Sequence, residues 1–179
     1  MKGYELTSTH ARSGNVSRRS TRLSRRRFVA TLTALLAGRR AFATTELLPL
    51  PNHFDASRDP ARDLDSALRI ARVTRRRVLA EVGGEWCTWC HIMDRFFAEN
   101  PELAKLRDAN FIVLRINFSK ENKNQAFLSR WPKVAGYPHF FVLDASGRLL
   151  HSQDTSALEA TRNYDPVAFR AFLLDWAPR

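Results

Sequence analysis

Cysteine is nearly absent from this 179-residue chain: there are two, Cys87 and Cys90, and both fall within one four-residue stretch. With no second C-x-x-C and no H-x-x-H, the sequence cannot complete the four-ligand set of a structural zinc site. It also lacks a P-loop, a Gly-rich dinucleotide-binding motif and a Ser-His-Asp order, so nucleotide and hydrolase chemistries have no support. There is no internal repeat. The apolar run at 28–37 (FVATLTALLA) has about half of the roughly 20 residues that a bilayer-spanning helix needs, so no stable membrane span is expected.

Acidic residues are scarce in one place only. Residues 1–43 carry ten Lys and Arg against the single acid Glu5, which leaves 19 basic and 17 acidic residues over 44–179. The formal charge of +11 therefore shrinks to +2 outside the leader, and the basicity that would otherwise suggest a nucleic-acid partner belongs to the leader alone. Within it, Ser24-Arg25-Arg26-Arg27-Phe28-Val29 precedes the apolar run, and Ala41-Phe42-Ala43 follows in a small-x-small pattern. Basic region, apolar region and cleavage site in that order read as a bacterial signal peptide, and the paired arginines as a twin-arginine export motif. The reading is a signal peptide over 1–43, cleaved after about Ala43, a linker over 44–59 and one domain over 60–179 in the periplasm. A length of this order holds one core and leaves little room for a second.

Along the mature region the patterns alternate. Leu64, Ala67, Leu68, Ile70 and Ala71 recur at helical spacing within 58–74, and 77–82 is a short β-like run ending at Gly83-Gly84. Ile92, Met93, Phe96 and Phe97 are again helically spaced, and Pro101 breaks or restarts that helix before one or two more turns over 102–107. The run 111–118 (FIVLRINF) is the clearest buried strand. A loop over 119–124 and a short helix over 125–131 lead to a strand over 139–144, a turn over 145–147 and a returning strand over 148–152. Asp165-Pro166 caps a last helix through Phe169, Phe172, Leu173 and Trp176. This order predicts an α/β fold with a central mixed sheet flanked by helices. The stretch 44–57 is Pro-rich and weakly patterned, a linker or short first strand.

Cys87-Thr88-Trp89-Cys90 stands where a strand and a Gly-Gly turn give way to a helix. At a helix N-terminus the free N–H groups and the macrodipole favour an anion, so the first thiol ionises more readily, and the thiolate is the species that attacks a disulfide. The three-residue offset brings Cys90 one turn along the same face, where it can close a disulfide and resolve a mixed one. As a structural staple so small a loop would stabilise little. Two rival chemistries use the same residues. Cys87 to His91 spells the C-x-x-C-H of c-type haem attachment, but Met93 is too close to His91 to reach the opposite face, and His139 and His151 both belong to the hairpin. A Cu(I) site or a copper-delivery role at the dithiol is the other, since thiolates suit that metal.

Glu85-Trp86-Cys87-Thr88-Trp89-Cys90 after a strand, with Gly136-Tyr137-Pro138-His139 ahead of the later strands, resembles the thioredoxin superfamily. The resemblance spans roughly 60–178 and is nearest to the periplasmic branch around the C-terminal domain of the membrane disulfide reductase. The stretch 153–159 followed by Tyr164-Asp165 is similar to the same branch. It implies a thioredoxin fold, with Pro138 as the cis-proline that shapes a substrate groove together with Trp86 and Tyr137. It implies too that Glu81, six residues before Cys87, fills the place of a buried acid that exchanges protons with the resolving thiol, although the family's usual residue there is Asp. Trp89 replaces the family's common proline inside the dithiol, which alters the redox potential, and His91 fills a position open to many residue types. The implied activity is thiol–disulfide exchange with protein substrates by a monomer without a cofactor, in the direction of reduction, fed by a membrane thiol relay.

Overall fold

The computed structural model describes residues 48–179. The signal-peptide reading, with Arg25, Arg26 and Ala43, lies outside the described residues.

Three helices, those starting at Pro60, Thr88 and Pro166, begin on a side-chain cap. Asp59 accepts the N–H of Ala61 at 2.9 Å, Pro60 takes the first helical position, and α1 (Pro60–Thr74) follows. Its Leu64, Ala67, Leu68 and Ala71 form the buried stripe that the periodicity predicts. Arg75, in the left-handed region with φ 56°, ends the helix. β1 (Arg77–Gly83) then runs through the middle of the molecule, buried from Val78 onward. α2 (Thr88–Glu99) and α3 (Pro101–Asn110) are separate helices, since Pro101 lacks an N–H and so begins one readily. α3 extends three residues beyond the turn or two expected. β2 (Phe111–Asn117) follows, and α4 (Gln125–Leu128) is shorter than the sequence suggests. Pro132 disfavours a helical Trp131, whose N–H instead closes a tight turn onto Leu128 at 3.1 Å.

β3 (His139–Leu143) and β4 (Leu149–Asp154) form the hairpin, with an irregular register at Val142–Leu143. A 3-10 turn over Thr155–Leu158, which the sequence reading lacked, precedes α5 (Pro166–Asp175). Asp165 caps α5 by accepting the N–H groups of Val167 and Ala168.

The strands form one mixed sheet in the order β2-β1-β3-β4: β1 is parallel to β2 and antiparallel to β3, and β3 is antiparallel to β4. Alternation along β1 divides the core. Val78, Ala80 and Val82 face α1 and Phe127 of α4, while Leu79 meets Met93 and Phe96 of α2 and Phe169 and Phe172 of α5. Glu81 shares the parity of Leu79, so the one acid of β1 is committed to the α2 side. Among the described residues no helix is long and apolar enough to cross a membrane.

Candidate functional site

The end of β1 is built from two glycines because there is no room for anything else. A Cβ on Gly83 would lie 2.5 Å from Cys90 Sγ and 2.9 Å from Phe54 Cζ, and one on Gly84 would lie 2.4 Å from Trp86 Nε1 and 2.8 Å from the Phe118 carbonyl oxygen. Gly83→Ala is therefore expected to lower the stability of the oxidised protein by about 1–3 kcal/mol. The loss is read as a lower urea midpoint at unchanged slope. Gly136→Ala, where the added Cβ meets nothing within 4 Å, is the neutral control. A Gly83→Ala midpoint equal to that control would contradict the steric argument.

Past this turn, Cys87 donates its N–H to Gly84 O at 2.9 Å and becomes the N-cap of α2. Its Sγ accepts the N–H of Cys90 at 3.1 Å, while its carbonyl oxygen accepts from Cys90 and His91. Cys87 and Cys90 are joined as a disulfide with their Cα atoms 5.2 Å apart. The sulfur closer to the chain start thus sits on the first turn's donors, where negative charge is stabilised when the bond is open.

The dithiol is roofed. The residues at 48–57, expected as a linker or first strand, form an irregular segment that lays Phe54 onto Cys87 and Cys90. Cys87 is only 2% exposed. Phe54 donates its N–H to Glu85 Oε1 at 2.8 Å, Asn122 donates to Ala56 O at 2.9 Å, and Arg115 donates to Asn52 O. Beside the roof stand the aromatic residues that the sequence singled out. Trp86 is 55% exposed, donates its indole N–H to Phe118 O at 2.7 Å and meets the Tyr137 ring edge-on at 5.5 Å. Tyr137 stacks on Phe118 at 4.8 Å and packs against the dithiol cluster. The Tyr137–Pro138 bond is cis, and the buried Pro138 accepts a hydrogen bond from Thr155 Oγ1 through its carbonyl oxygen.

Glu81 lies buried on β1, opposite Arg115 in the parallel register. Its Oε2 is 3.5 Å from Arg115 Nε, and Oε1 has no hydrogen-bond partner in the protein. Burial pushes its pKa up to about 7; Arg115 opposes that rise and the carboxylate of Asp94 adds to it. Arg115 also pairs with Asp94, and its guanidinium lies 5.5 Å from the centre of the Phe54 ring. One cation thus touches the buried acid, the surface acid and the roof.

Phe54 and Arg115 are the residues that sequence reasoning missed, and Tyr164, noted there only as part of the resemblance, had no place at the site. Tyr164 is buried, donates its hydroxyl to Trp89 O at 3.3 Å and sets its ring against the Trp89 indole at 5.4 Å. Arg115 had a signal, a lone cation inside an otherwise apolar strand run; Phe54 had none. His91 is exposed and donates its Nε2–H to Glu85 O at 2.8 Å. Among the described residues no three His, Cys, Asp or Glu side chains gather to hold a metal ion, so a copper reading would rest on the two thiols alone. The haem reading has no more support: both sulfurs are joined to each other, and the ring nitrogen of His91 is turned to its own loop.

Residues 59–145 match the family model described as thioredoxin-like. No curated protein matches the chain by sequence. Among solved structures, a disulphide isomerase from Xylella fastidiosa Temecula1 is 22% identical, covers 72% of this chain and 97% of its own, and superposes with a TM-score of 0.59. The DsbD C-terminal domain of Neisseria meningitidis in its oxidised form is 20% identical with a TM-score of 0.45, covering 56% of this chain and 84% of its own. A thioredoxin from Thermus thermophilus is 23% identical with a TM-score of 0.45, covering 62% and 81%. The mixed four-stranded sheet flanked by helices is the thioredoxin fold.

Proposed function

From the thioredoxin-like domain that this chain carries, we propose that it is an exported thiol–disulfide oxidoreductase that acts as a monomer on protein disulfides in the periplasm. The observation that carries this reading is the placement of Cys87 at the N-cap of α2, with the Cys90 N–H on its sulfur and the Cys90 sulfur bonded to it. In the reducing direction, the Cys87 thiolate attacks one sulfur of a client disulfide and forms a mixed disulfide, and the other client sulfur leaves as a thiolate. Cys90 then attacks Cys87 Sγ, re-forms the Cys87–Cys90 bond and expels the second client thiolate. Two electrons pass from the dithiol to the client, and a membrane thiol relay restores them. Glu81 takes the proton of the resolving thiol and returns it to the site during the next turnover; its burial and raised pKa suit a group that must exchange a proton near neutrality. Trp86, Tyr137 and Pro138 line the groove that receives the client. The reducing direction follows the sequence resemblance to the periplasmic branch. The test is reduction of insulin disulfides, with dithiothreitol as electron source and the chain at catalytic concentration; failure to accelerate the reaction contradicts the proposal.

Export has its own test. Changing Arg25 and Arg26 together to lysine is expected to leave the unprocessed chain in the cytoplasm, as judged by fractionation and by the size of the product on a gel. Normal processing of that variant would point to the general secretory route instead.

A further inference from the structure

A trough runs past Trp86, the residue before Cys87, and Tyr137, which packs against the dithiol. It consists of two adjoining cavities of about 450 and 540 Å³ that share Phe118 and Lys123. Trp86 closes the end next to Cys87, and Phe118, Leu128, Trp131 and Tyr137 line the walls beyond it. The shape is set before any client arrives: the Trp86 indole is tied to Phe118 O, and Asn117 and Asn124 brace the loop that carries Phe118 by donating to Asn122 O and Asn117 O, at 2.8 Å each. The trough therefore offers an apolar slot bounded by the two aromatic residues that flank the dithiol, Trp86 and Tyr137, and wide enough for a bulky side chain.

Its rim is charged with one sign. Lys120, Lys123 and Lys133 border the slot, and Glu121 is the one carboxylate among its lining residues. None of the three lysines forms a salt bridge among the described residues. The net charge of this small rim, +2, equals that of the whole of 44–179, so the lysines are a local feature and not a sample of a basic surface. An apolar slot with a net positive rim, Lys123 and Lys133 beside the adjacent Lys120 and Glu121, selects a partner with the complementary pattern.

Resting on the oxidoreductase reading above, we propose that the client is an extended protein segment that places a bulky apolar side chain in this trough and acidic residues against Lys120 and Lys123, bringing the neighbouring cysteine of its disulfide to Cys87. Selection is electrostatic at the rim and apolar on the floor, so it appears in client binding more than in the chemical step.

The test uses the full chain and two disulfide-linked peptides that share a phenylalanine next to cysteine but carry either aspartates or lysines on the flank. The acidic peptide is expected to react about fivefold better in kcat/KM, with the difference carried by KM and shrinking as salt is raised. Lys120→Glu with Lys123→Glu reverses the preference, and Lys120→Gln with Lys123→Gln removes it. The basic leader favours the acidic peptide equally in all these proteins, so the change of preference from parent to variant is the quantity that reports the lysines. Equal rates on both peptides, or a preference left unchanged by the double substitutions, overturns the proposal. If neither peptide is reduced, the oxidoreductase reading fails. In that case the binding of cysteine-to-serine peptides, followed by tryptophan fluorescence, decides the trough by the same preference and the same reversal.

Discussion

Cys87→Ser abolishes disulfide exchange, with the rate falling on the order of 10³-fold or more, because a serine hydroxyl is far weaker as an acid and as a nucleophile than a thiol, whose ionisation a helix N-cap favours. The site is arranged around that one sulfur. Cys87 Sγ already receives the Cys90 N–H at 3.1 Å, and it stands at the positive end of a 12-residue helix. Cys90→Ser has a different signature. Its Cys87 still attacks, but nothing expels the client, so the protein accumulates as a mixed disulfide that survives a non-reducing gel and disappears with dithiothreitol. Turnover by Cys87→Ser in the insulin assay would show that the roles are reversed or that the dithiol is not the reacting pair.

The second large effect concerns Glu81 and pH. Its pKa stands at about 7 in the folded protein against 4.5 for an ordinary glutamate, so the folded state holds this proton more tightly than the unfolded chain does. Below about pH 4.5 both states are protonated and the favourable contribution is complete. Between 4.5 and 7 only the unfolded chain releases the proton, and stability falls as pH rises; above 7 the loss is complete. A rise of this size corresponds to about 3 kcal/mol across the window. Glu81→Gln, which keeps the shape and cannot ionise, is expected to lack that component of the decline in urea unfolding of the oxidised protein between pH 4.5 and 8. The same substitution is expected to slow resolution of the mixed disulfide about tenfold or more near neutral pH, since the proton acceptor is gone. A Glu81→Gln protein whose stability declines over this window as steeply as the parent would place the titration elsewhere.

The parts of the site that depend on neighbours in sequence were legible in the sequence. The Gly83-Gly84 turn, the cysteine at a helix start and the Asp165-Pro166 cap are local chemistry, and the structure places each as its residue type requires. Both strands that flank β1 were legible from their apolar runs. The misjudged length of α4 also has a local cause: the apolar spacing through Trp131 suggested one more turn, which Pro132 forbids. What could not be read is contact across long separations. Phe54 reaches the dithiol from more than 30 residues upstream, and nothing in its Pro-rich surroundings announces a buried ring. Glu81 was marked by its distance from Cys87, but its pairing with Arg115 emerges only once β1 and β2 are set in parallel register. Tyr164, beneath Trp89, is fixed by the isolated bridge between Glu159 and Tyr164 and by packing on α5.

The most direct test of the account is the reduction potential of the Cys87–Cys90 pair, obtained by equilibrating the purified protein with graded dithiothreitol or glutathione buffers and quantifying free thiols. A reversible two-electron couple near the roughly −270 mV of thioredoxin is the predicted result, as befits a protein that passes electrons to client disulfides. A value near the roughly −120 mV of strong periplasmic oxidants would reverse the direction of exchange. A disulfide that shows no reversible couple at all would contradict the claim that this pair is the working centre.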